Sequence, residues 1–133
     1  PDQIVFTSGS SEGISTILHS LLFESKKKIV ITSPLEHVAV SKALSWYQEK
    51  LGFKVLECRI DPNGVIDTEH VRELVEAHRD NVALVTIMAS QNETGVIEPI
   101  AEVNEVCQRA RVLFFSDTTQ YIGKAPFHFE KSG

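Results

Sequence analysis

A chain of 133 residues, 42% hydrophobic and 23% charged, has enough material for one domain with its own core. Its net charge of −5 and pI near 5.5 exclude the simplest nucleic-acid or anionic-membrane surface, because the only basic run, Lys26-Lys27-Lys28, reads as a solvated loop before a strand. No apolar run approaches membrane-spanning length, and the N-terminus carries no signal-peptide pattern. Two cysteines, Cys58 and Cys107, fit no metal spacing and no disulfide framework, which suits a reducing compartment. The chain starts at Pro1 and its only methionine is Met88, so a piece of something longer is expected.

Ile4-Val5-Phe6-Thr7 reads as a short buried strand and Ser8-Gly9-Ser10-Ser11 as a turn. The helix that follows carries Ile14, Ile17, Leu18, Leu21 and Leu22 at i, i+3, i+4, i+7 and i+8, one helical face. Lys28 to Thr32 is a second strand, broken by Ser33-Pro34. A helix over 36–51 would bury Val40, Ala43, Leu44 and Tyr47, with Gly52 at its C-terminal cap. Phe53 to Cys58 is a third strand, Asp61-Pro62-Asn63-Gly64 a turn, and Asp67 a cap for a helix carrying Val71, Leu74 and Val75. Val82 to Met88 is an apolar fourth strand, followed by a polar loop over 89–95. Pro99 suits the first turn of a helix with Ile100, Val103 and Cys107 inside, and Val112 to Phe115 is a fifth strand.

Strands alternating with helices imply βα units and a mainly parallel sheet. The strands are continuous apolar runs rather than alternating ones, so helices should cover both faces. In such α/β sheets, ligands bind beyond the carboxyl ends of the strands. The segments at those ends are Ser8-Gly9-Ser10-Ser11-Glu12, Ser33-Pro34-Leu35-Glu36-His37, Ser90-Gln91-Asn92-Glu93-Thr94-Gly95 and Asp117-Thr118-Thr119-Gln120. Each has an ordinary reading by itself: a capping turn, a helix-start histidine, a turn asparagine, a loop-starting aspartate. Together they would share one edge of the sheet and suit a ligand with a phosphate, a flat ring and a cationic position. SGSS would cradle the phosphate at a helix N-terminus, an imidazole would cover the ring, and a carboxylate would meet the cation. SGSS lacks the Gly-Lys-Ser/Thr ending of a P-loop. Glu36 and His37 are adjacent rather than at helical ligand spacing, and His19, His70, His78 and His128 are scattered, so no metal site is expected.

Four blocks, FTSGSSE (6–12), ITSPLEH (31–37), LVTIMASQNETGVIEPI (84–100) and FFSDTTQYIGKAP (114–126), carry a resemblance. In order and spacing they resemble the class V fold-type I pyridoxal-phosphate enzymes, in particular the cysteine desulfurase and selenocysteine lyase group. The resemblance implies an α/β fold: a partial large domain of the aspartate aminotransferase-like transferases over 1–133, without the small C-terminal domain. It implies pyridoxal 5'-phosphate as cofactor, cysteine or selenocysteine as substrate, a homodimer for the full-length protein, and a cytoplasmic or mitochondrial-matrix setting.

Position by position, Ser11 with the backbone of Ser10 matches the phosphate-anchoring turn. His37 matches the histidine that stacks on the cofactor ring and takes part in proton transfer. Asn92 matches the asparagine near the ring oxygen and substrate carboxylate, and Gln91 stands where the family usually has asparagine. Asp117 matches the aspartate paired with the pyridine nitrogen, a partner that keeps that nitrogen protonated. Gln120 matches the glutamine at the ring hydroxyl oxygen.

The family's Schiff-base lysine and persulfide-forming cysteine would lie past Lys131-Ser132-Gly133, so the isolated chain is expected to be catalytically incomplete. Lys42, Lys54 and Lys124 read as solvent-facing or turn residues, Cys58 and Cys107 as packing residues. The family also has two further strands between Ile4–Thr7 and the rest of the sheet, and without them the chain would be marginal, rearranged or associated. The competing readings are a non-catalytic interaction module that pairs with a full-length enzyme, and another class V reaction such as transamination.

Overall fold

The computed structural model describes residues 4–127; His128 and the terminal Lys131-Ser132-Gly133 lie outside them. Four helices and four strands alternate: α1 (Ser10–Leu22), β1 (Ile29–Thr32), α2 (Val38–Leu51), β2 (Lys54–Glu57), α3 (Thr68–Ala77), β3 (Val82–Thr86), α4 (Ile100–Ala110) and β4 (Phe114–Phe115). The strands form one sheet in the order β2-β1-β3-β4, and every pair is parallel. Central β1 and β3 are buried along their whole length, as continuous apolar runs require when both faces are covered.

The core divides into two layers. On one face, Val30 and Leu84 pack with Ile14, Leu18 and Leu22 of α1 and with Val40, Leu44 and Tyr47 of α2. On the other, Ile31, Val85 and Ile87 pack with Val71 and Val75 of α3 and with Val103 and Cys107 of α4. Alternate residues of a strand point to opposite faces, which is why neighbours such as Val30 and Ile31 belong to different layers.

Local signals place several boundaries. Gly52 caps α2 in the left-handed region at φ 69°, a conformation that favours glycine. Asp67 caps α3, its Oδ1 accepting the His70 amide at 3.0 Å. Pro99 stands one residue earlier than the sequence suggests, as the N-cap of α4.

Three readings need correction. Residues 4–7 form no strand: Ile4, Val5 and Phe6 are 68%, 80% and 96% exposed. A strand needs a neighbouring backbone, and none lies beside this segment among the described residues. Ile17, read as an inner residue of α1, is 40% exposed: it lies about 100° round the helix from Leu18, while Ile14, Leu18 and Leu22 form the buried stripe. Helix α2 begins at Val38 rather than Glu36, because His37 takes the N-cap position and Glu36 turns inward.

Candidate functional site

The polar segments after β1, β3 and β4 meet the start of α1 in one cavity of about 140 Å³, lined by Ser10, His37, Met88, Ser90, Asn92, Asp117, Thr119 and Gln120. Five of the six residues singled out in the sequence, Ser10, His37, Asn92, Asp117 and Gln120, are in its wall. Ser11 is not; it is exposed on the first turn of α1. A larger, open groove of about 540 Å³ runs between α1 and α2, lined by His19, Trp46 and Tyr47 among others. It contains no carboxylate or ammonium group, so the smaller cavity is the better candidate for chemistry.

Backbone pairing carries the residues there. The ladder between β3 and β4 continues past both strands, with Ile87 N donating to Phe115 O at 3.2 Å and Ala89 N to Asp117 O at 2.9 Å. Asp117 is thereby held beside the start of the 89–98 loop. That loop folds back on itself: Gln91 N donates to Val96 O and Glu98 N to Ala89 O, with Gly95 at φ 75° in its turn. The side chain of Gln91 closes the turn, Oε1 accepting from the amides of Glu93 (2.5 Å) and Thr94 (2.8 Å). Gln91 is thus spent on the loop, and the adjacent Asn92 reaches the cavity.

Asp117 is 9% exposed. Its Oδ1 accepts from both the amide (3.0 Å) and the hydroxyl (2.5 Å) of Thr119, which leaves Oδ2 uncommitted among the described residues. His37 caps α2 through Nδ1, which accepts the Ala39 amide at 3.2 Å. Nδ1 is therefore the acceptor, and Nε2 is the ring atom free to carry or pass a proton. Gln120 Oε1 accepts from Lys124 Nζ, so among the described residues the amide NH₂ of Gln120 is its free end. Lys124, read from sequence as a turn residue, thus sets the polarity of a cavity residue.

At the start of α1 no side chain caps the helix. Glu12 instead reaches back, Oε2 accepting the Ser8 amide at 2.6 Å, and hydrogen bonding from Ser8, its side chain first and then its amide, lowers the pKa of this carboxyl. Among the described residues the amides of the first turn at Ser10 and Ser11 have no partner, next to the cavity wall at Ser10.

Sequence reasoning overlooked the buried carboxyls. Glu36 Oε1 accepts from Met88 N (2.7 Å) and Ser33 Oγ (3.0 Å), and Oε2 is sealed from solvent. Burial pushes this carboxyl up to about 7 against the pull of those two bonds, with smaller upward contributions from Asp117 and Glu98. Glu98 is 2% exposed, its Oε2 accepting the Ile66 amide at 2.9 Å, and burial raises it too. The only signal for either was a carboxylate beside an apolar run, which helix caps also produce. Cys58 and Cys107 are buried, and burial pushes both thiols up to about 12, so neither is a ready nucleophile at neutral pH. Among the described residues, no three His, Cys, Asp or Glu side chains gather as a metal site.

Residues 1–133 match the family described as aminotransferase class-V. Cysteine desulfurase IscS of Rickettsia typhi is 36% identical over 128 residues, 95% of this chain and 30% of that protein. The mitochondrial cysteine desulfurase of Saccharomyces cerevisiae is 36% identical over 126 residues, 93% of this chain and 24% of that protein. Among solved structures, a NifS-like protein superposes with a TM-score of 0.86 at 37% identity, covering 95% of this chain and 35% of that one. DndA from Streptomyces lividans gives 0.80 at 32% identity over 93% of this chain and 34% of that one. The chain therefore spans about a third or less of the length of these relatives.

Proposed function

The chain belongs to the aminotransferase class-V family, and from that we propose that it is the ring-binding part of a pyridoxal-phosphate-dependent cysteine desulfurase. It would form the early part of the large domain, with the small domain supplied elsewhere in the protein. The reaction removes sulfur from cysteine, or selenium from selenocysteine, and leaves alanine. The observation that carries the proposal is the single cavity in which the segments after β1, β3 and β4 and the first turn of α1 present complementary chemistry. Cysteine is the first choice of substrate, since the curated relatives are desulfurases and one similar solved structure is SspA in complex with cysteine.

The donor set fits the cofactor. A phosphate suits the free first-turn amides of α1 and the hydroxyl of Ser10 at the cavity wall, while Ser11 would have to meet it from outside that wall. The uncommitted Oδ2 of Asp117 suits a protonated ring nitrogen, while Thr119 holds the carboxylate in one orientation. The free NH₂ of Gln120 suits a ring oxygen, and Asn92 offers an amide to that oxygen or to a substrate carboxylate. His37 would cover the ring, with Nδ1 held by the Ala39 amide and Nε2 left to hold or pass a proton. When bound, pyridoxal phosphate supplies the electron-withdrawing ring that lets an amino acid lose a substituent next to its carboxylate-bearing carbon. The chain's own part is to bind and orient that ring and to keep its nitrogen charged. Among the described residues no lysine lines the cavity, so these 133 residues alone are expected to bind cofactor without turnover.

For the whole protein the same reading carries a homodimer in the cytoplasm or the mitochondrial matrix; relatives of both bacterial and mitochondrial kind support the setting. The test is direct. The protein expressed from its own gene and loaded with pyridoxal phosphate should release alanine from L-cysteine or L-selenocysteine. Release from neither overturns the proposal, and cofactor binding without alanine favours a non-catalytic module.

A further inference from the structure

The end of β3 poses a problem that one side chain solves. In a parallel ladder, alternate amides face opposite neighbours. Those of Ile87 and Ala89 face the β4 side, where Phe115 and Asp117 accept them. The amide of Met88 therefore faces the β1 side, but there the chain has already turned away at Ser33-Pro34. Glu36 fills the gap, its Oε1 accepting Met88 N at 2.7 Å where a strand carbonyl would otherwise stand. The same oxygen accepts from Ser33 Oγ at 3.0 Å, and Ser33 Oγ in turn accepts the Leu35 amide at 3.2 Å. One carboxyl thus closes the 33–36 turn and ties it to β3. The next residue is His37, and Met88 and His37 both line the cavity.

We propose that Glu36 is a positioning residue for His37: it pins the β1–α2 loop to the end of β3, and so holds the imidazole at the cavity wall with Nδ1 on the Ala39 amide. The raised affinity of Glu36 for a proton agrees with this, since a neutral carboxyl still accepts both bonds through Oε1 without a buried charge. The part that concerns cofactor rests on the function proposed above; the part that concerns His37 does not.

The experiment uses the whole protein expressed from its own gene, prepared without cofactor. The imidazole nitrogens of His37 and the Ala39 amide are followed by two-dimensional NMR in wild type, Glu36→Gln, Glu36→Ala and Glu36→Asp. Glutamine keeps an acceptor at Oε1, so Glu36→Gln should retain the wild-type signature of an Nδ1 acceptor. Alanine removes the acceptor and aspartate falls one methylene short, so both should lose that signature and shift the Ala39 amide. A wild-type His37 spectrum in a folded Glu36→Ala or Glu36→Asp chain overturns the proposal. Should alanine prevent folding, the aspartate and glutamine variants decide it between them.

A second measurement titrates the same chains with pyridoxal phosphate. Affinity is expected to fall at least tenfold in the alanine and aspartate variants and to be restored by glutamine. If the His37 signature follows Glu36 while cofactor affinity does not, the positioning role stands and the ring-covering role of His37 fails.

Discussion

The amide of Ala89 donates to the carbonyl of Asp117 at 2.9 Å, two residues beyond the last paired residue of β4. This bond extends the sheet into the candidate site. It places the carboxylate-bearing segment beside the loop that carries Asn92, using backbone alone. The position of Asp117 should therefore survive changes to its side chain, which makes it a clean place to test charge.

Asp117→Asn keeps an oxygen for the Thr119 amide at Oδ1 but removes the negative charge. If the carboxylate meets a protonated ring nitrogen, the exchange loses a charge-assisted bond worth about 1.5–3 kcal/mol. Pyridoxal phosphate should then bind roughly ten- to a hundredfold more weakly by absorbance titration. Unchanged affinity would remove Asp117 from the proposed site.

Glu36 makes stability depend on pH in a definite direction. Its folded-state value of about 7 lies above the ordinary 4.5. Below about pH 4.5 the folded and unfolded chains both hold the proton. Between 4.5 and 7 only the folded chain holds it, so this group's contribution is lost as pH rises, and it levels off above about 7. Glu36→Gln has no such loss. Relative to wild type it should gain about 1–3 kcal/mol between pH 4.5 and pH 8, read from urea unfolding at both. An equal difference at the two pH values sinks the prediction.

Asp67→Ala removes the cap of α3, whose Oδ1 accepts the His70 amide and whose Oδ2 faces Arg59 at 3.1 Å. The ion pair is exposed and adds little, so the cap should dominate at about 1 kcal/mol. A fall in Tm of roughly 3–5 °C is expected by calorimetry.

Phe6→Ser tests the segment that resembles a strand in sequence. Phe6 is 96% exposed, so the substitution should change the unfolding free energy of this chain by less than about 0.5 kcal/mol. A loss of 2 kcal/mol or more would mean that residues 4–7 pack on the sheet in solution.

Much of this protein is legible without coordinates. Apolar runs such as Val82 to Met88 have one stable use, a strand covered on both faces, and the 3.6-residue spacing of Val71, Leu74 and Val75 has one inner face. Strands separated by helices must run parallel, so the segments after them are brought to one edge. That is enough to bring together the segments that hold Ser10, Ser11, His37, Asn92, Asp117 and Gln120, the residues the resemblance singles out; all but Ser11 line the cavity.

Three things needed the tertiary structure. Whether Ile4–Thr7 is a strand depends on a neighbouring backbone that local sequence does not encode, and among the described residues it has none. Whether Ser11 or Ser10 reaches the cavity depends on the direction in which α1 leaves its turn. The role of Glu36 depends on an orphan amide 52 positions away, at Met88. Composition and periodicity pick out most inner positions, such as Leu18, Val40 and Val71, and the segments that share an edge, because both follow from local geometry and water; they miss Ile17 and residues 4–7, which are exposed. Hydrogen-bond partners between distant segments follow only from the packed chain, because a buried amide takes whichever acceptor the fold brings to it.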